Sequence, residues 1–306
     1  MKETDLITKL TTDLPTDSSI DVGPGDDCAV INVDGKNVLL KTDAVVEGVH
    51  FTADTPPEKI GRKAIARPLS DIAAMGGRPS HAVVTVGLPE DFDETRLETI
   101  YRGAGEMGEQ NGTYIVGGEI TRNPVLLISV SLIGHVETDR VLTRKGSRDG
   151  DAVFVTGELG GSIAGKHLDF DPRLAEARWL AEQFEIHAMI DLSDGLATDL
   201  RYLLGDNLGA ELLTPAIPIS RAAKERARDN PAGKSALLAA LTDGEDYELL
   251  FTLPSKQAVS LHDDWKTAFP ELPLHCIGKI TSQPGLHLRD DKGIQPFHAQ
   301  GYDHLQ

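Results

Sequence analysis

The sequence predicts an α/β fold of the α+β type, organised as two α/β domains. Two observations carry that expectation. Short apolar, β-type runs alternate with segments of helical period along the whole chain. A polar, turn-rich stretch at Lys145 to Gly150 is followed at once by a new strand-like run, Ala152 to Thr156. At 306 residues each half is long enough to bury its own core. The expected domains are therefore 1–146, with a mixed sheet, and 147–306, a sheet covered by helices.

Taken in order, Cys28 to Val33 and Val38 to Thr42 read as strands joined by a turn at Asp34-Gly35-Lys36. Glu58 to Met75 has apolar residues at helical spacing, but Pro68 lacks a backbone donor, so a kink or a restart is expected there. Ser80 to Leu88, Thr113 to Val116 and Val125 to Val136 read as strands, with an amphipathic helix at Glu94 to Gln110. In the second half the reading is helix at Pro172 to Phe184, strand at Ala188 to Ile190 and helix at Leu196 to Leu204. Later strands are expected at Tyr247 to Leu253 and Leu274 to Ile280. Met1 to Leu14 mixes charged and polar residues without an apolar core, so no export signal is expected.

Composition narrows the function. The formal charge is −18, with no Lys/Arg cluster beyond Arg221 to Arg228, so nucleic acid is not an expected partner. Cys28 and Cys276 stand apart from any CxxC or His-rich partner, which argues against structural zinc and against a disulfide framework. The longest apolar run, Val125 to Gly134, is too short to span a bilayer, and a cytoplasmic enzyme is the default expectation.

Two glycine motifs mislead. Gly103 to Gly108 fits GxGxxG, yet it lies inside a helical pattern with no strand feeding it. Gly160 to His167 approaches a P-loop, but His167 stands where a magnesium-binding hydroxyl belongs, and Gly165-Lys166 falls a turn too late.

Acidic motifs at the ends of apolar runs are more informative: Gly25-Asp26-Asp27, Thr42-Asp43, Ser70-Asp71, Gly117-Gly118-Glu119 and Asp191-Leu192-Ser193-Asp194-Gly195. Each alone is commonly a turn or cap. If they converge, the carboxylates repel one another and require cations, and an all-oxygen donor set favours Mg²⁺. Mg²⁺ binds phosphates readily, which makes a nucleotide the natural partner.

Those motifs, with Gly48-Val49-His50-Phe51, Leu142-Thr143-Arg144, Gly244 to Leu249 and the ending Gly301-Tyr302-Asp303-His304, resemble the thiamine-monophosphate kinase family of the aminoimidazole ribonucleotide synthetase superfamily. The resemblance implies that Asp27, Thr42, Asp43, Asp71, Glu119, Asp191 and Asp194 hold several Mg²⁺ ions. It implies ATP contacts at Gly118, Arg144 and Ser193, and thiamine monophosphate contacts at His50, Glu245 and Tyr302. The implied reaction is direct in-line phosphoryl transfer from ATP to thiamine monophosphate, with no catalytic base, in a homodimer paired through the first domain's sheet. Departures from the family pattern lie at Lys41, where a small hydroxyl residue is usual, at Glu119 in place of Asp, at Pro68, at Asp169 to Arg173 and at Thr242-Asp243. They leave open a sister ATP-using enzyme of the superfamily with another phosphate or amide substrate. A reading from a different class is a non-catalytic acidic protein that binds divalent cations.

Overall fold

The structure, a computed structural model, describes residues 3–137, 140–299 and 301–302. It divides into a first unit, Asp17–Val141 with His167–Leu174, and a second unit, Met1–Thr16, Leu142–Lys166 and Ala175–Gln306. Residues 3–16 include helix α1 (Glu3–Thr11), for which this mostly polar segment gives only a short signal.

The first unit contains β1 (Ile20–Val22), β2 (Ala29–Val33), β3 (Lys36–Val46), α2 (Pro57–Ala74), β4 (Arg78–Leu88), α3 (Glu94–Gln110), β5 (Tyr114–Arg122) and β6 (Leu127–Val136). Its sheet runs β1-β2-β3-β6-β4-β5, and only β4 and β5 pair in parallel, which makes it mixed. The expected hairpin forms: Val33 pairs with Lys36 across Asp34 and Gly35, whose φ angles of 51° and 79° are those of a primed two-residue turn. Helix α3 starts where Asp93 caps it, accepting from the backbone N–H groups of Thr95 and Arg96.

Helix α2 does not restart at Pro68. It continues to Ala74 with Leu69, Ile72, Ala73 and Ala74 wholly buried. A proline inside a helix costs about 3 kcal/mol, and the burial of these following side chains outweighs that. The GxGxxG segment is explained by packing. A Cβ on Gly103 would lie 2.0 Å from the Glu58 carbonyl oxygen, and one on Gly61 would lie 1.8 Å from that of Ile100. These glycines let α2 and α3 touch backbone to backbone.

Register assigns each strand residue to a face. One row across the sheet is Asp43, Val130, Val84 and Gly118; the next is Ala44, Ser129, Thr85 and Glu119. Leu39, Val84, Val86, Val130 and Leu132 are buried on the face against α2 and α3, whereas Leu40, Val83 and Ile133 on the opposite face are exposed.

The second unit contains β7 (Asp151–Thr156), and α4 (Lys166–Asp169) and α5 (Leu174–Gln183) flank the segment assigned to the first unit. There follow β8 (Ala188–Asp191), α6 (Leu196–Leu204), β9 (Gly209–Leu213), α7 (Arg221–Asp229), α8 (Ala236–Thr242), β10 (Leu249–Pro254), α9 (Ala258–Ala268), β11 (Leu274–Thr281), β12 (Gly285–Asp290) and β13 (Gly293–Pro296). The sheet order is β13-β12-β9-β11-β7-β10-β8. Its core joins Val153, Val155, Ile190 and Leu250 of the sheet to Leu196, Leu200 and Leu203 of α6. Among the described residues no helix is long and apolar enough to cross a membrane.

Candidate active site

In the first unit, β3, the loop before β2 and the last turn of α2 bring three predicted carboxylates to the helix-covered side. Asp27 and Asp71 are buried, and their carboxylate oxygens approach within 4.8 Å. At that separation two ionised carboxylates repel by about 3 kcal/mol at an effective dielectric of about 20, so the pair calls for a cation. Lys41 and Asp43, two residues apart on β3, share this face. The Lys41 Nζ lies 2.6 Å from Asp71 Oδ1 and 4.0 Å from Asp43 Oδ2, and Arg67 Nη2 lies 3.5 Å from Asp43 Oδ1. Burial works to lower the Lys41 pKa, but the charges of Asp71 and Asp43 and the hydrogen bond to Asp71 outweigh it and hold the ammonium above the ordinary lysine value.

Thr42 and Glu119 are placed elsewhere. Strand alternation turns the Thr42 side chain to the opposite face, where its Oγ accepts from the Ser131 hydroxyl at 3.2 Å. Glu119 is exposed on β5 in the row of Ala44 and Thr85, on the face away from Asp43. Gly118 shares the Asp43 row, and its lack of a side chain has a local reason: a Cβ would lie 1.9 Å from the Val84 carbonyl oxygen.

His50 sits in the turn after β3. Its Nδ1 accepts from the Val46 N–H at 3.1 Å, which places the ring proton on Nε2. Its carbonyl accepts from the wholly buried Lys63 at 2.8 Å, and Lys63 also meets His167 Nδ1 at 2.9 Å. Two residues of the departing segment Asp169 to Arg173 are tied to α2. Asp169 and Asp171 accept hydrogen bonds at 2.6 Å from Lys59 and Arg62 of α2.

The second unit gathers the remaining predicted residues around the loop from β8 to α6. Asp191 is buried at the end of β8, paired with Leu249. The Ser193 carbonyl accepts from the Glu245 N–H at 2.7 Å, and the Asp194 carbonyl accepts from the Tyr302 N–H at 3.0 Å. Gly301 permits this docking, since a Cβ there would lie 1.7 Å from the Asp194 carbonyl oxygen. Asp303 and His304 of the same motif lie outside the described residues. Glu245 and Tyr247 have φ angles of 54° and 50°, and the Tyr247 hydroxyl points at Glu245 Oε1 from 3.4 Å. Arg144 lies with its guanidinium carbon 4.9 Å from the centre of the Tyr202 ring. The cation–π contact holds it near the same loop.

Two buried acids of this unit were not among the predicted site residues. Asp199 of α6 accepts from the backbone N–H groups of Asp194 and Gly195 at 3.1 and 3.0 Å, and so fixes the loop that carries Asp191 and Asp194. Burial, then the charges of Asp194 and Asp191, push its pKa well above the usual carboxylate range. Its signal lay in the periodicity, because Asp199 falls between Leu196 and Leu203 on the apolar face of α6. Asp246 accepts from the Gly160 N–H with both oxygens at 3.0 Å, and burial raises its pKa to about 7 against the opposing effect of Lys166. Lys166 itself donates to Glu248 at 2.8 Å and to the Glu158 carbonyl.

The donor chemistry fits magnesium. The predicted ligands are six carboxylates and Thr42, all oxygen donors without histidine or thiolate, and the first unit's Lys41 and Arg67 show that Asp43 and Asp71 already attract positive charge.

Residues 25–136 match the family described as AIR synthase related protein, N-terminal domain. The chain is 38% identical over 280 residues to the thiamine-monophosphate kinase of Rhodopirellula baltica, covering 88% of this chain and 86% of that one. It is 34% identical over 311 residues to the thiamine-monophosphate kinase of Escherichia coli, covering 94% and 92%. Among solved structures, AaThiL complexed with AMPPCP and TMP superposes with a TM-score of 0.82 at 31% identity, covering 99% of this chain and 97% of that one.

Proposed function

The chain belongs to the thiamine-monophosphate kinase family, and on that premise we propose that it transfers the γ-phosphoryl group of ATP to the phosphate of thiamine monophosphate. The observation that carries this reading is the near full-length match to a relative that binds AMPPCP and TMP. The P–O bond between the γ-phosphorus and the β,γ-bridging oxygen breaks, a new bond forms to an acceptor phosphate oxygen, and ADP and thiamine diphosphate leave. The acceptor is largely ionised near neutral pH, since a phosphate monoester's second pKa is about 6, so no general base is assigned. Transfer is direct and in line, and trapping a phosphorylated enzyme during turnover would refute that.

Asp27, Asp43, Asp71, Asp191 and Asp194 are assigned to hold magnesium, and Thr42 can add its carbonyl. Glu119, facing away from Asp43, serves a separate ion if it ligates one. When bound, magnesium neutralises the triphosphate charge. Arg144, held by Tyr202, and Ser193 contact ATP, together with the backbone at Gly118. Tyr302 offers an exposed ring to stack on the cationic thiazolium, Glu245 supplies a complementary anion, and His50 presents an Nε2–H donor to the substrate. These assignments follow the motif match, supported by the docking of Glu245 and Tyr302 onto the Asp191–Gly195 loop.

The protein pairs as a homodimer through the first unit's sheet. Leu40, Ile133, His81 and Tyr114 form one row across its uncovered face, and Leu40 and Tyr114 are 44% and 59% exposed. A monomer by light scattering at working concentration would contradict it. ATP is supplied in the cytoplasm, which supports that location. The central test is to mix protein, Mg-ATP and thiamine monophosphate and to assay thiamine diphosphate. Mg-ATP binding without product would favour a sister enzyme of the superfamily.

A further inference from the structure

The first unit places its own cations on carboxylates assigned to magnesium. Lys41 and Asp43 are i and i+2 on β3, so the pleat puts both side chains on one face whatever rotamers they adopt. Their β6 partners are Leu132 and Val130, both buried, so the ammonium sits over an apolar floor with few alternatives to the carboxylates. At 2.6 Å the contact to Asp71 Oδ1 is a short charge-assisted hydrogen bond, and the 4.0 Å approach to Asp43 Oδ2 lets the same ammonium lie between the two acids. A magnesium ion bridging Asp43 and Asp71 would need oxygens at about 2.0–2.1 Å in octahedral array, which this ammonium obstructs. The carboxylate oxygens of Asp27 and Asp71 lie within 4.8 Å of each other, a spacing that a divalent ion can bridge.

Resting on the magnesium-dependent reading above, we propose that the Lys41 ammonium is a resident cation in place of a divalent ion between Asp43 and Asp71. The protein then loads one fewer divalent ion than the same chain with a neutral residue at position 41. A tethered ammonium carries one charge where a divalent ion carries two, cannot be chelated, and is present at every magnesium concentration. Arg67, 3.5 Å from Asp43 Oδ1 and donating to the Ala44 carbonyl at 2.9 Å, makes up further charge on the Asp43 side. Lys41 is thus a positioning residue that sets metal number, and it need not touch the transferring group.

The test counts Mn²⁺ bound per chain by electron paramagnetic resonance, on the full protein saturated with AMPPCP. Wild type is compared with Lys41→Ser, Lys41→Gln and Lys41→Arg. The expected result is one additional Mn²⁺ in each neutral variant and no change in Lys41→Arg. Equal counts in wild type and the folded neutral variants overturn the proposal, as does a failure of every variant to bind Mn²⁺. If the neutral variants unfold without metal, refolding on addition of Mn²⁺ supports it and no rescue overturns it. The product assay separates the two readings: a changed Mn²⁺ count in a protein that makes no thiamine diphosphate removes the kinase reading and leaves this one standing.

Discussion

Asp246 makes the stability of the second unit depend on pH, with a sign opposite to that of an ordinary paired carboxylate. Its pKa is about 7 in the folded chain against 3.8 for a free aspartate, with burial the main cause. The folded state therefore holds a proton that the unfolded state has already released. The contribution is fully present below pH 3.8 and is lost as pH rises through about 7. Between pH 5 and pH 8 the linkage relation gives a loss of about 3 kcal/mol, an order-of-magnitude figure for one buried group. Asp246→Asn mimics the protonated acid and keeps an acceptor for the Gly160 N–H. Urea denaturation at pH 5, 6, 7 and 8 should show wild-type stability falling with pH and the variant falling about 3 kcal/mol less over that range. The two should converge only near pH 3.8 and below, and at pH 5 the variant should already be ahead by about 1.6 kcal/mol. The same slope in both proteins, or a wild type whose stability rises from pH 5 to pH 8 relative to the variant, would refute the assignment.

Three further outcomes are expected. Gly103→Ala should destabilise the chain by about 3 kcal/mol in denaturant unfolding, because its Cβ would lie 2.0 Å from the Glu58 carbonyl oxygen and force α2 from α3. Asp199→Ala should strand the backbone N–H groups of Asp194 and Gly195, costing about 2 kcal/mol and weakening Mg-AMPPCP binding about tenfold by calorimetry. Glu245→Gly should raise KM for thiamine monophosphate while stability rises by about 1 kcal/mol, since the φ of 54° strains any residue except glycine; a fall in both KM and stability would count against the substrate role.

Much of the architecture was legible because periodicity and turn chemistry are local. The limits of α3 and α6, the Asp34-Gly35 turn and the strands β7, β8, β10 and β11 follow from spacing, caps and glycines visible in the chain, whereas β9, β12 and β13 were not placed from it. Helix α1 was missed although Leu6, Ile7 and Leu10 stand at helical spacing, because three apolar residues in nine are a short signal, and the continuity of α2 through Pro68 depends on tertiary burial that no local rule supplies. The identities of the acidic motifs were readable, but their directions were not. Thr42 is adjacent to Asp43, yet its side chain leaves from the other face, and Glu119 is adjacent to Gly118 with the same reversal. A strand changes face every residue, so a motif written as consecutive letters cannot assign both to one site.

The same point governs the charge of −18. Counting acids suggests a large demand for external cations, but the structure divides them by what already surrounds each one. Asp71 and Asp43 face Lys41 and Arg67, and Asp243 is held by Arg226 and by Lys234 at 3.1 Å. Asp199 and Asp246 are pushed by burial toward the neutral form. Asp199, Asp243 and Asp246 therefore ask for little or no metal, whereas Asp27 and Asp71, whose carboxylate oxygens lie within 4.8 Å of each other, keep a demand for a divalent ion under the proposed function. The net charge of −18 already counts those Lys and Arg partners, so local pairing and protonation, not the total, decide where an anionic nucleotide and its cations can be held.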